Sequence, residues 1–244
     1  MKGKAIVGAV AVLVAASVWA GDDVWKSKPY DQWDAKEIAV IMKDSPWARP
    51  NVQAVGNWSQ EDSSRGPINV SQDKDDMNHQ NTGRPDATLG DSSAKGVPPT
   101  FTVYWWSSRT LREADQRSQV LKGTTTAAAA DASVKQIPSS FEVLVIGRDM
   151  KAFTNRGEDA IKNAASLKLH KSKTKLTPTK VLFQKDKNGN VADVIFMFDK
   201  KTASNEPTIP ADEKELEFDL QLGDAWVRTS FNPKQMVDSQ GLDL

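Results

Sequence analysis

The 244-residue chain has no cysteine and only two histidines. The first absence excludes disulfides, a thiol nucleophile, thiolate metal sites and a lipid-modified cysteine behind a leader. The second leaves His79 and His170, in different surroundings, which do not make a metal cluster. No sign of charge dominates either, with 32 Lys and Arg against 32 Asp and Glu. Without a net field the chain is not drawn onto nucleic acid or an anionic membrane. A stretch long enough to cross a bilayer, about 20 apolar residues, is missing as well. The run Ala5–Val18 stops at 14.

That run is nevertheless informative. Lys2 and Lys4 precede it, Val18-Trp19-Ala20 closes it with small or compact residues at the positions a signal peptidase reads, and Gly21-Asp22-Asp23 turns polar. This is the order of a secretory signal, with cleavage expected after Ala20. The alternative is an uncleaved anchor. Cleavage leaves 30 basic residues against 32 acidic ones, a net charge of −2. The expected location is therefore outside the cytoplasm, with no stable membrane span. Stability there must come from packing, since no disulfide can form.

Composition divides the mature chain into a Trp-rich segment, residues 21–52, a polar stretch, 53–98, and a main domain, 99–244. In the first, Asp34 and Glu37 have capping-box spacing, and Trp33 with Ile38 has that of a hydrophobic staple. Ile38, Ile41 and Met42 share one helical face. Pro46 ends the helix by disfavouring helical geometry at Ser45. Three turns are unstable alone in water, so the segment must dock, with Trp25, Trp33 and Trp47 as anchors. Residues 53–98 have too few apolar side chains to offset ordering entropy, and a mobile linker or long loop is expected.

In the main domain, Phe101–Trp106 reads as a strand with two apolar faces. A helix capped by Ser107 or Ser108 follows to about Lys122, with Leu111, Ala114 and Leu121 inward. The Ala-rich Thr124–Ser133 is expected to be loose. Strands are expected at Phe141–Gly147 and Leu167–Lys171, with a helix at Asp159–Ala165. Asn188-Gly189 marks a hairpin between Lys180–Gln184 and Val191–Phe198. Glu215–Leu222 alternates, with Leu216, Phe218, Leu220 and Leu222 inward, and Gly223-Asp224 turns into a last strand, Ala225–Phe231. Neighbouring strands joined by short turns pair antiparallel. The fold class is α+β, an antiparallel sheet with a few helices on one face.

Three sets of residues carry a resemblance. Lys28-Pro-Tyr-Asp-Gln-Trp33 with Asp44-Ser-Pro-Trp-Ala48 opens it. Trp105, Ser107 and Leu111-Arg-Glu-Ala114 form its middle, and Phe231, Lys234, Met236, Val237, Gly241 and Leu242 close it. Together they resemble a family of uncharacterised exported bacterial proteins. The resemblance implies export and one architecture spanning both folded segments, and transfers no functional residue.

Candidate chemistry is sparse. Gly90-Asp91-Ser92 and Asp76 to His79 echo a serine esterase, but in reversed order and in the polar stretch, where nothing fixes a nucleophile against its base. Asp186, Asn188 and Asn190 begin like a calcium loop, yet Val191 replaces the required glycine and Met197 the bidentate glutamate. Asp73, Asp75 and Asp76 form an acidic cluster able at most to hold a cation weakly. Glu213, Glu215, Glu217 and Asp219 recur every second residue, a solvated strand face rather than a glycosidase pair. Lys168, Lys171, Lys173 and Lys175, with His170 among them, offer a basic strand to pair with it. No cofactor or metal site is expected.

Tryptophan is the enrichment that composition leaves open. Seven remain after cleavage, and Trp25, Trp33, Trp47, Trp105 and Trp106 are candidates for fastening or for recognition. The function expected is a non-catalytic exported domain that binds or scaffolds, its partner an envelope protein or a glycan. The alternative is a carboxylate-based hydrolase of envelope polymers, which a pocket of acids with perturbed protonation would favour.

Overall fold

The computed structural model describes residues 23–56, 98–154 and 156–244. The signal, most of the polar stretch and the esterase-like and acidic clusters lie outside the described residues.

The α+β class is present, with its strands divided between two antiparallel sheets of five. The first sheet runs β1 (Ala48–Gln53), β3 (Thr100–Trp105), β4 (Ser140–Gly147), β8 (Val191–Asp199), β7 (Lys180–Lys185). The second runs β2 (Val55–Gly56), β10 (Ala225–Phe231), β9 (Leu216–Leu222), β5 (Ala165–Leu169), β6 (Lys175–Leu176). A hairpin of β11 (Val237–Asp238) and β12 (Gly241–Leu242) stands apart. Aromatic pairs bridge the sheets: Trp105 meets Phe231 at 5.5 Å between ring centroids, and Phe196 meets Phe218 at 5.1 Å. One hydrophobic cluster contains these rings and extends from Trp25 to Met236.

Residues 48–56 are the main departure from the sequence reading. They form β1 and β2, so the N-terminal segment contributes an edge strand to each sheet and its boundary at residue 52 falls inside a paired region. The register of β1 shifts between Arg49 and Val52, where Asn51 has φ +58°. Such a bulge bends a strand, and here the chain passes from one sheet to the other. Arg49 reinforces the crossing, its Nε donating to the Ser230 carbonyl at 2.7 Å and its guanidinium lying 4.9 Å from the Phe231 ring. Gly56, at φ +126°, is required at the end of β2, because a Cβ there would stand 2.3 Å from the Asp224 carbonyl.

Helix α1 (Val24–Ser27), a 3-10 turn at Tyr30–Gln32 and α2 (Ala35–Asp44) precede β1. The capping box of α2 forms on both sides, with Ile38 and Ile41 buried. Helix α3 (Arg109–Leu121) starts at Ser108, whose hydroxyl accepts from Leu111 N, but Leu121 is exposed. Only the first half of α3 turns its apolar side inward, through Leu111 and Ala114. The Ala-rich stretch is ordered as α4 (Ala127–Val134), capped by Thr126. Its other end is held by Arg112, which donates to the carbonyls of Val134 and Gln136 at 2.8 Å each. Tyr30 donates to Asp131, and Arg117 Nε to the Trp33 carbonyl at 2.9 Å, so the N-terminal segment, α3 and α4 form one layer. Helices α5 (Lys151–Thr154) and α6 (Glu158–Ala164) connect the sheets, with Phe153 and Ile161 in the core. Gly189, at φ +82°, makes the hairpin turn expected between β7 and β8.

Candidate functional site

Four of the five tryptophans singled out from the sequence are interior. Trp25, Trp33, Trp47 and Trp105 are buried, and Trp106 is half-buried beside Tyr104. Trp33 Nε1 donates to the Lys28 carbonyl at 3.0 Å, and Trp25 meets Trp47 edge-on at 5.6 Å. These rings fasten the N-terminal segment to the sandwich.

The exposed tryptophan among the described residues is Trp226, at 38%. Its neighbours Ala225 and Val227 are buried, so its indole lies on the outward face of the second sheet. In register it stands between Val55 on β2 and Gln221 on β9, both exposed. The next positions on that side align Arg228 with Asp219, backed by the buried Ser166, then Ser230 with Glu217 and Lys168. The basic and acidic strands thus pair as their sequences suggest. Arg228 donates to Asp219 Oδ2 at 3.1 Å, and Lys168 donates to Glu217 Oε1 at 3.0 Å and to Asp219. The Asp219 carboxyl is held below its ordinary range: burial opposes this, and the bonds from Lys168 and Arg228 override it. Its other oxygen, Oδ1, is buried without a hydrogen-bond partner among the described residues. His170 sits at the far end, its Nε2 3.4 Å from Glu217. These residues place an aromatic ring at one end of a row of positioned donors and acceptors.

The acid ladder does not begin as expected. Glu213 is buried rather than solvated, at 1% exposure. Its carboxylate accepts from the backbone N–H groups of Lys171 at 2.7 Å, Lys214 at 3.0 Å and Ser172 at 3.1 Å. Burial alone would raise its pKa, but these three amides bring it to about 2. It clamps the turn after β5. Asp186 likewise serves its own hairpin, accepting from Asn188 N and Asn190 N at 2.8 and 2.9 Å.

A second charged cluster surrounds the start of α3. The Asp243 carboxylate accepts from Arg109 N at 2.6 Å, Thr110 N at 3.0 Å and Thr110 Oγ1 at 2.8 Å, while Asp238 takes the Arg109 guanidinium. Glu113, one turn on, is raised to about 7, first by burial and then by Asp238 and Asp243, against Arg109 and Arg112. Glu142 is raised by burial, and Lys200, which neighbours it, is lowered by burial. Asp238 and Asp243 are spent on holding α3 and the terminal hairpin. Neither Glu113 nor Glu142 lines any of three grooves whose walls are described residues.

No family model, curated protein or solved structure matches this chain.

Among the described residues, no group of three His, Asp or Glu has a metal-holding arrangement, and no helix is long and apolar enough to cross a membrane. Trp226 escaped the sequence reading although its signal was present. It alternates with Ala225 and Val227, and its strand follows the acid ladder across a tight turn, which places it on the acids' face.

Proposed function

We propose that the chain is a non-catalytic exported domain that binds an envelope glycan on the outward face of its second sheet. The observation that carries this reading is the half-open indole of Trp226 at the head of the ion-paired rows formed by Arg228, Asp219, Glu217 and Lys168. A sugar ring has an apolar face and a rim of hydroxyls. An indole covers the first, and fixed carboxylates, guanidinium and amide groups satisfy the second. The ion pairs hold these groups before the ligand arrives, which lowers the ordering cost of binding. Affinity capture of protein 21–244 on insoluble envelope polysaccharide tests it. Wild type is expected to be retained and Trp226→Ala to flow through with its melting temperature nearly unchanged. Equal retention of both proteins would refute the reading.

The hydrolase alternative draws on the Glu113 carboxyl, which burial pushes up to about 7 beside the charged groups at the start of α3. Release of reducing ends from the same polysaccharide, lost in Glu113→Gln, would replace binding by catalysis.

A further inference from the structure

A groove of about 570 Å³ opens between α1, the end of α2, β1 and the turn before β11. Lys26, Lys43, Arg49 and Lys234 line it against two acids, Asp23 and Asp44, an excess of two positive charges. Asp23 is already engaged by Lys26 at 2.7 Å. Arg49 spends its donors on the carbonyls of Ser230, Ala48 and Ser45 and contributes mainly its field. Two further lining residues are more than nine-tenths buried and carry polar atoms without a partner among the described residues: Trp25 through Nε1 and Ser45 through Oγ.

The pattern has a chemical direction. An indole N–H only donates, ammonium groups only donate, and a serine hydroxyl without an acceptor has a proton to give. A buried donor left unsatisfied carries a desolvation penalty, so each such group calls for an explanation. A groove of donors with surplus positive charge is complementary to an acceptor that is negative.

We propose that this groove binds an oxyanion, a carboxylate or phosphate group of the ligand, between Lys43 and Lys234, with Ser45 Oγ and Trp25 Nε1 completing its hydrogen bonds. Neither buried atom faces bulk solvent, so entry displaces side chains of the rim. The site is separate from Trp226, and it stands or falls independently of glycan binding there.

Titration calorimetry on protein 21–244 at low salt tests it with two probes, tripolyphosphate and a galacturonic acid trisaccharide, which separate phosphate from carboxylate. Saturable one-to-one binding of at least one is expected. Hydrogen bonds to charged groups are strong enough that Lys43→Gln with Lys234→Gln is expected to weaken it at least about tenfold. Ser45→Ala is expected to weaken it about three- to tenfold while leaving the melting temperature unchanged or higher, since it removes an unsatisfied buried hydroxyl. Trp226→Ala is expected to leave it unchanged. Failure of both probes to saturate overturns the proposal. So does an affinity insensitive to the lysine substitutions, which would signal diffuse attraction. An unchanged affinity in Ser45→Ala would assign the orphan hydroxyl to buried water and overturn it too.

Discussion

Trp47 and Asp243, 196 positions apart, are joined by a hydrogen bond of 2.7 Å from the indole Nε1 to the backbone carbonyl oxygen. Asp243 faces two ways. Its carbonyl receives the N-terminal segment, and its carboxylate receives the first amides of α3. Negative charge at a helix N-terminus meets both the unpaired N–H groups and the positive end of the helix dipole. One residue therefore ties together three stretches that are remote in sequence.

Asp243→Ala is expected to cost about 2 kcal/mol or more, the range for losing charge-assisted bonds to buried donors. Trp47→Phe removes only the indole donor and is expected to cost less. Urea unfolding of both variants checks the order. A near-zero cost for Asp243→Ala would show that water caps α3 equally well.

Trp33→Ala and Trp226→Ala are expected to diverge. The first empties a buried site and is expected to cost about 3–5 kcal/mol, against the 5–15 kcal/mol typical of a domain. The second removes a half-open ring and is expected to stay within about 1 kcal/mol. Melting curves distinguish them. A shift of under a degree for Trp33→Ala would contradict its role as a fastener.

The two perturbed glutamates give opposite pH dependences. Glu113 has its folded pKa raised to about 7 from 4.5, so the folded state holds its proton more tightly. Its contribution to stability is complete below about pH 4.5 and is lost as the pH rises through 7. Glu213 has its folded pKa lowered to about 2, so its contribution is present above 4.5 and is lost as the pH falls towards 2. Chemical denaturation across pH 2–8 is expected to show the upper slope flattened in Glu113→Gln and the lower one in Glu213→Gln. Unchanged slopes would mean that these groups titrate normally.

Export is expected to remove residues 1–20. Intact-mass measurement of protein collected outside the cytoplasm gives the answer, with Gly21 as the first residue. Retention of the apolar run would make it an anchor.

Short-range signals were legible where they carry a local mechanism. Asp34 with Glu37, Asn188-Gly189 and the alternation of residues 216–222 each led to the element observed. Strand β1 was not legible, because Ala48-Arg-Pro-Asn-Val-Gln53 includes a proline and a bulge and has no apolar alternation. The Ala-rich helix was missed because composition was weighed above the cap at Thr126 and the high helix propensity of alanine. Glu213 was misplaced because period two predicts a face, while three backbone amides beyond that pattern decide burial. The division into two sheets depends on pairings such as β1 with β3 and β5 with β9, which no local pattern specifies. For the same reason the groove was hidden, since Lys43 and Lys234 meet only in three dimensions.

The two described stretches on either side of residues 57–97 are tied together near their ends. Ala54 N donates to the Pro99 carbonyl at 3.1 Å, and Gln53 pairs with Thr100. Doubling a long excursion costs only about 0.6 kcal/mol in closure entropy. A module inserted between residues 57 and 97 is therefore expected to leave these pairings in place, although Val55 and Gly56 pair directly with Trp226 and Ala225.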